Sequence, residues 1–485
     1  MKILLVTGRL AQEQVRAFAG EAEVLVADTD VAAFITPQML MQAAPQGYDL
    51  ILIPGAATAD FSEVEAAFGS AVRLGPKHAA DLGEVLHLLK KGDLKLSRTT
   101  PACQLLLGEM RDKARQDIES MEAQAGASLQ IGPIKIGGGS RMKVLAEVVD
   151  ATRLTPEKLA ARIFRYQKEG ADMIDLGLPL DARPEEVRAA IGVAKEAADL
   201  PVSIDSIRPD LLLVGLEAGA DMLLSLNAGN MAPVGPAAAD AAVPAAVIPG
   251  PGSAGLEENV RAALDLGVRV IADPVLDPPM QGLACSLQRY IKFSRRHPNI
   301  PLFFGAGNVT ELLDADTSGV NALLAAIGAE VGAAILFTPE YSAKAAGSVR
   351  ELATASMMMQ LARKRKTPPK DLGLDLLCLK QKRRLPEEPL PETMTEAQQG
   401  HTYVPDEAGS FRIFLSAGLM VARNGPVSVW GENARDLVNT LVDMGLVRRL
   451  DHAAYLGREL QKAETALRLG RDYVQDEPLW PAEKS

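Results

Sequence analysis

Cysteine is nearly missing from this 485-residue chain: there are three, Cys103, Cys285 and Cys378, far apart, with no CxxC pair and no Cys/His cluster. That excludes a disulfide framework and a zinc site. Basic clusters are scarce too. The net charge is −11, and only RKRK at 363–366 and KQKRR at 380–384 gather positive charge. Binding to phosphate backbones needs clustered Lys and Arg, so a general nucleic-acid binder is excluded. Both runs read instead as solvated charge in a polar linker. No apolar stretch reaches the roughly 18 residues of a membrane helix, so no membrane partner is expected. The opening MKILLVTGRL is one apolar strand cut short by Arg9, too brief for a signal peptide, and a cytoplasmic protein is expected. Within residues 1–130 neither a complete GxGxxG nor a P-loop occurs, so Gly8 and Gly55, which follow two strands there, read as ordinary tight turns.

What is present is apolar residue in quantity, 47% of the chain, over a length that implies two or three domains. Residues 1–130 open with KILLV, AEVLVA and YDLILIPG, short β-rich runs divided by helical patterns. They predict a Rossmann-like α/β domain with a parallel sheet, and 103–125 predict a helix leading out of it. Residues 140–365 carry eight apolar strand candidates: KVLAEVV, DMIDLG, PVSID, DMLLSLN, PAAVIP, VRVIAD, PLFFG and AAILF. Helical spacing separates most of them, although 228–242 reads as poorly helical. Eight strand–helix units in this length predict a central (β/α)8 TIM barrel in an α/β chain. Pro-rich, charged residues 366–410 predict a linker. Residues 411–485 predict a small α+β extension: one hairpin turned at Asn424-Gly425, then two helices over 433–445 and 451–471. About 75 residues bury little by themselves, so docking on another domain or subunit is expected.

Polar residues stand where the barrel strands run out. In PVSIDSIRPD, residues 201–210, a core strand stops at Asp205, with Ser206 and Arg208 close behind. Asp175 ends strand two, Asn227 ends strand four, and Asp273 ends strand six. Strand seven leads to Asn308, and strand eight to Glu340. A single Asp or Asn after a strand is usually a helix cap. Several at one end of a barrel, where loops and strand tips converge, predict a ring of acceptors and amides around one mouth. Such a ring suits a flat heterocycle with amino and ring N–H donors. Three Asp could also supply oxygens to a hard metal. The ring mixes in amides, however, and the loops add no further acidic cluster, so no metal ligand is assigned.

GADMIDLG, PVSIDS, ADMLLSLNAGN and IADP, in this order and spacing, resemble the pterin-binding barrel of dihydropteroate synthases and methyltetrahydrofolate–corrinoid methyltransferases. The layout as a whole resembles the dihydropteroate synthase-related proteins of methanopterin-making archaea and methylotrophs. The resemblance implies that Asp205, Asn227 and Asp273 pair with the donor edge of a pterin, with Asp175 and Asn308 also lining the site. It implies a condensation of an activated 6-hydroxymethyl-dihydropterin with an arylamine, in tetrahydromethanopterin biosynthesis and one-carbon metabolism, by a homodimer. Two motifs depart from the synthases: GAGNVTE replaces their Ser-Arg-Lys run, and FTPEYS lacks their Arg and His. GAGNV is closer to the methyltransferases, where an Asn lies near pterin N5. Methyl transfer from a methylated tetrahydropterin and a non-catalytic pterin-binding subunit are therefore the alternatives. For the synthase reaction the expected catalytic residues are Asp205, Asp273 and Arg208. Arg208 precedes a Pro-started helix and would offset the leaving diphosphate, with Mg2+ as the other candidate for that charge. No further cofactor is assigned.

Overall fold

The computed structural model describes residues 1–250, 255–381, 390–391, 393–398 and 404–480. Parts of the linker expected over 366–410 lie outside these residues, among them most of the basic run at 380–384 and most of LPEEPLPET. The chain divides into two compact units, 1–377 and 378–485.

The first unit begins with a four-stranded parallel sheet of β1 (Ile3–Thr7), β2 (Glu23–Val26), β3 (Leu50–Ile53) and β4 (Ala71–Leu74), in the order β2-β1-β3-β4. Both faces are covered. Leu4, Val6, Ile51 and Ile53 join one core, and Ile3, Leu5, Leu50 and Leu52 the other. Strands buried on both sides read as unbroken apolar runs, which is why they were legible. The two strand-end glycines serve packing: a Cβ on Gly8 would lie 2.7 Å from the carbonyl oxygen of Asp30, and one on Gly55 2.8 Å from the Lys77 nitrogen. A 23-residue helix, Ala102–Gln124, then buries Ala114 and Ile118 in the core around the barrel.

The barrel itself is closed and all-parallel. Its strands are β7 (Lys143–Val148), β8 (Met173–Gly177), β9 (Val202–Asp205), β10 (Met222–Leu226), β11 (Ala245–Val247), β12 (Val270–Ala272), β13 (Leu302–Gly305) and β14 (Ala333–Pro339), neighbours in sequence order, with β14 pairing back onto β7. A helix follows each strand, so the expected (β/α)8 fold is the observed one. Several helices start as their sequences dictate: Pro156, Pro184 and Pro209 each open a helix, where a missing N–H costs nothing.

One expectation for this unit needs correction, and one element of it was not expected. Residues 231–240 do form a helix, Met231–Asp240, although Pro236 lies inside it; Val234, Gly235 and Ala238 are buried and tertiary packing outweighs propensity. An antiparallel hairpin of β5 (Leu129–Ile131) and β6 (Ile134–Ile136) also precedes the barrel. Ile131 and Ile136 join the barrel's interior cluster, and Arg269, just ahead of β12, donates to the Gln130 carbonyl. The hairpin thus plugs the end at which the strands begin.

The second unit holds a three-stranded antiparallel meander, β15 (Arg412–Ser416), β16 (Leu419–Asn424) and β17 (Val427–Gly431), then helices Ala434–Asp443 and Leu450–Leu469. The single hairpin expected here is two: a second turn at Ala417-Gly418, both with positive φ, joins β15 to β16. Phe411, Ile413, Met420, Leu437, Leu441, Leu456 and Leu460 close a core within this unit.

Candidate functional site

Side chains alternate across a strand, and that decides what enters the barrel. On β7, Val144, Ala146 and Val148 pack toward the helices, while Leu145 lies in the interior cluster with Met173, Leu224, Ile271 and Phe303. Two residues further along, the same alternation brings in Glu147 above Leu145 and Asp175 above Met173. On β9, Ser203 and Asp205 alternate with the outward Val202 and Ile204. Toward the C-terminal ends of β7–β9 the apolar interior therefore gives way to acid.

Glu147 and Asp175 are direct partners across β7 and β8, and Asp205 is the partner of Gly177. One carboxylate oxygen from each of the three lies within 4.8 Å of the others. Gly177 makes the room: a Cβ there would collide with Oε1 of Glu147. Asp175 is fully buried; its Oδ1 accepts a 2.5 Å hydrogen bond from the Ser203 hydroxyl, and its Oδ2 has no partner. Among the described residues no Lys, Arg or His side chain pairs with any of the three. Charge is consequently disfavoured. Burial, then the negative neighbours Asp205, Glu311 and Asp150, push the Glu147 carboxyl up to about 8. Burial, then Asp205 and Glu147, hold Asp175 well above the usual carboxylate range, with the Ser203 hydrogen bond opposing. Burial raises Asp205 to about 6.

A second polar group lies at β12–β13. Oδ1 of Asp273 accepts 2.8 Å bonds from the Tyr290 hydroxyl and from the Val275 N–H. Both bonds fall on one oxygen, which leaves the other for a ligand. Burial raises Asp273 to about 6, opposed by Tyr290, the Val275 N–H and Arg289. Tyr290 itself is fixed against Phe304, ring centroids 5.1 Å apart. Asn308 donates to the Leu276 carbonyl at 2.8 Å, tying the loop after β13 to that after β12. Between the two groups, just beyond β10, Asn227 accepts from Gly229 N through Oδ1, and its own N–H donates to Asn230 Oδ1, both at 2.8 Å.

Asp175, Asp205, Asn227, Asp273 and Asn308 thus all stand at the C-terminal end of the barrel, in two groups flanking Asn227 rather than an even ring. Two of the expected residues are committed elsewhere. Arg208 spends its guanidinium on Asp210 and on the carbonyls of Leu180 and Ala182, holding the loop after β8. Glu340, 2% exposed, takes Arg165 at 2.7 Å and the Val349 N–H, so it serves the helical layer. Sequence reasoning missed Glu147. Its signal was a lone acid inside KVLAEVV, two residues after an interior Leu.

A family model described as PterinBD-DUF4346 matches residues 405–476, within the second unit. Among solved structures, the chain is similar to the dihydropteroate synthase of Xanthomonas albilineans with 4-aminobenzoic acid, at 22% identity and TM-score 0.39 over 47% of this chain and 95% of that one. It is similar as well to the dihydropteroate synthase of Thermus thermophilus, at 21% identity and TM-score 0.38 over 45% and 93%. Along nearly its whole length, 99% of each chain, it is 36% identical to the uncharacterized protein MJ0107 of Methanocaldococcus jannaschii. End-to-end similarity at that level covers the sheet, the barrel and the C-terminal unit alike, and the chain belongs to the family of that archaeal protein.

Proposed function

We propose that the mouth of this barrel binds a pterin and that the protein is a transferase acting at the pterin's 6-substituent. The observation that carries the reading is the pair of half-buried acceptors, Asp205 and Asp273, at strand ends three apart in the closed sheet, with the Asn227 amide between them. A flat heterocycle with an amino group and ring N–H donors meets both carboxylates and relieves their burial. The motifs around these residues support the same substrate class.

The preferred reaction is the dihydropteroate synthase-like one, as in tetrahydromethanopterin assembly. The nitrogen of an arylamine attacks the exocyclic methylene carbon of a 6-hydroxymethyl-dihydropterin diphosphate. The carbon–oxygen bond breaks, diphosphate leaves with the electron pair, and the amine loses a proton. Asp205 and Asp273 hold and polarise the pterin. Arg208 contributes to the leaving group only if ligand binding frees it from Asp210. One observation favours a second reading: no Lys or Arg among the described residues pairs with the mouth carboxylates. Methyl transfer from N5 of a methylated tetrahydropterin, with Asn308 beside it, expels no diphosphate and needs no such cation. Product analysis decides. Incubation with the pterin diphosphate and 4-aminobenzoate is expected to give a pteroate and diphosphate. Methyl transfer to a corrinoid without pteroate would select the second reading, and binding without any turnover would leave a pterin-binding subunit.

A further inference from the structure

Three carboxylates converge at one point of the mouth, and of them the pterin reading makes only Asp205 a direct partner of the ligand's N–H groups. Glu147, Asp175 and Asp205 come from consecutive strands, and the parallel register sets them side by side. Three oxygens no more than 4.8 Å apart leave a point within about 2.8 Å of all of them, close to the 2.0–2.6 Å of hard-cation bonds to oxygen. A cluster of acids alone does not make a site. Here the fully buried Asp175 supplies a second observation. Ser203 ties down its Oδ1, and its Oδ2 is buried with no hydrogen-bond partner. Buried polar atoms are rarely left unpaired without a reason. One oxygen held by a neighbouring hydroxyl and the other bare is how proteins orient a metal-ligating carboxylate. Gly177 keeps clear the space that the Glu147 carboxylate occupies.

We propose that Glu147, Asp175 and Asp205 form a site for a hard divalent cation of the Mg2+ and Mn2+ class, with its open positions toward the barrel mouth. An all-oxygen donor set without nitrogen or sulfur selects these ions over zinc or copper. The site stands on the apo protein's own residues and does not depend on the pterin. Asp205 is common to both sets, so an oxygen of a substrate in the mouth would complete the coordination sphere; that extension rests on the pterin reading.

The test uses the metal alone on the full chain. Depletion of the free Mn2+ signal in electron paramagnetic resonance is expected to show one tightly held ion per chain, displaced by Mg2+. Asp175→Asn and Glu147→Gln, each shown to be folded by circular dichroism, are expected to weaken it at least roughly tenfold. Crystals of the unaltered protein soaked in Mn2+ provide a readout independent of any variant, an anomalous peak between the three carboxylates. Absence of a stoichiometric ion, wild-type affinity in either folded variant, or no peak at that point overturns the proposal. Dihydropterin binding measured without metal is a separate result, so the two readings fail separately.

Discussion

The two ends of β7 treat charge in opposite ways. At its start Lys143, 3% exposed, pairs with Glu122 at 2.9 Å, and the adjacent Arg141 grips Asp172 at 2.5 Å. Glu122 also takes the Arg141 N–H, and Asp172 takes that of Val144. Four residues further on, Glu147 enters a cluster of three acids with no cationic partner among the described residues. The first arrangement is self-contained: every charge has a counter-charge supplied by the chain, and it fastens the helix Ala102–Gln124 and the strand starts together. The second has no counter-charge from the described residues, and burial with like-charged neighbours raises its carboxyls instead. The barrel thus neutralises charge at one end and leaves it uncompensated at the other, which is the end where the proposed ligand and cation sites lie.

This contrast can be broken by substitutions at either end. At the closed end, Asp172→Ala strands the Arg141 guanidinium and is expected to cost about 3–5 kcal/mol in denaturant unfolding, the scale of a broken buried pair. At the open end the sign reverses. The folded-state pKa of Glu147 is raised to about 8, so its contribution to stability is full below the ordinary carboxylate range and is lost as pH rises through 8. Glu147→Gln removes that loss. In metal-free buffer its unfolding free energy is expected to match the wild type near pH 5 and exceed it by pH 9, by an amount on the order of 2 kcal/mol or more. A gap that does not widen with pH would mean that the cluster is compensated after all.

Smaller effects sharpen the same picture. Asp205→Asn and Asp273→Asn are expected to weaken dihydropterin binding by about 1–3 kcal/mol each, since a buried donor loses its acceptor. Wild-type binding should weaken as pH falls below 6, because both carboxyls, raised to about 6, must be ionised to accept the ligand's N–H groups. Ser203→Ala, which removes one neutral hydrogen bond from Asp175, is expected to cost only about 1 kcal/mol in unfolding.

The barrel was legible because its strands, buried on both faces, stand out as runs such as VSID and LLSL. The strand-end places of Asp205, Asn227 and Asp273 were legible because each polar residue comes just where a run stops. Glu147 was hidden by the same logic. The run KVLAEVV continues past it, so an inward acid within the run is masked by the apolar residues on either side. The β5–β6 hairpin was hidden by brevity, three residues a strand around Gly132-Pro133, a pattern that a linker shares. Proline concealed the Met231–Asp240 helix, whose small buried residues leave little amphipathic signal. Partnerships such as Arg208 with Asp210, or Glu340 with Arg165 from a distant helix, depend on side-chain placement that no periodicity encodes.

The open end of the barrel is proposed to receive a donor-rich ligand. Calorimetric titration of 6-hydroxymethyl-7,8-dihydropterin into the full chain tests it most directly, with the wild type and Asp273→Asn compared at pH 7.5. Saturable one-to-one binding, weakened roughly tenfold or more by the substitution, is the expected result. No binding by the folded wild type, or equal affinity in both proteins, would contradict it.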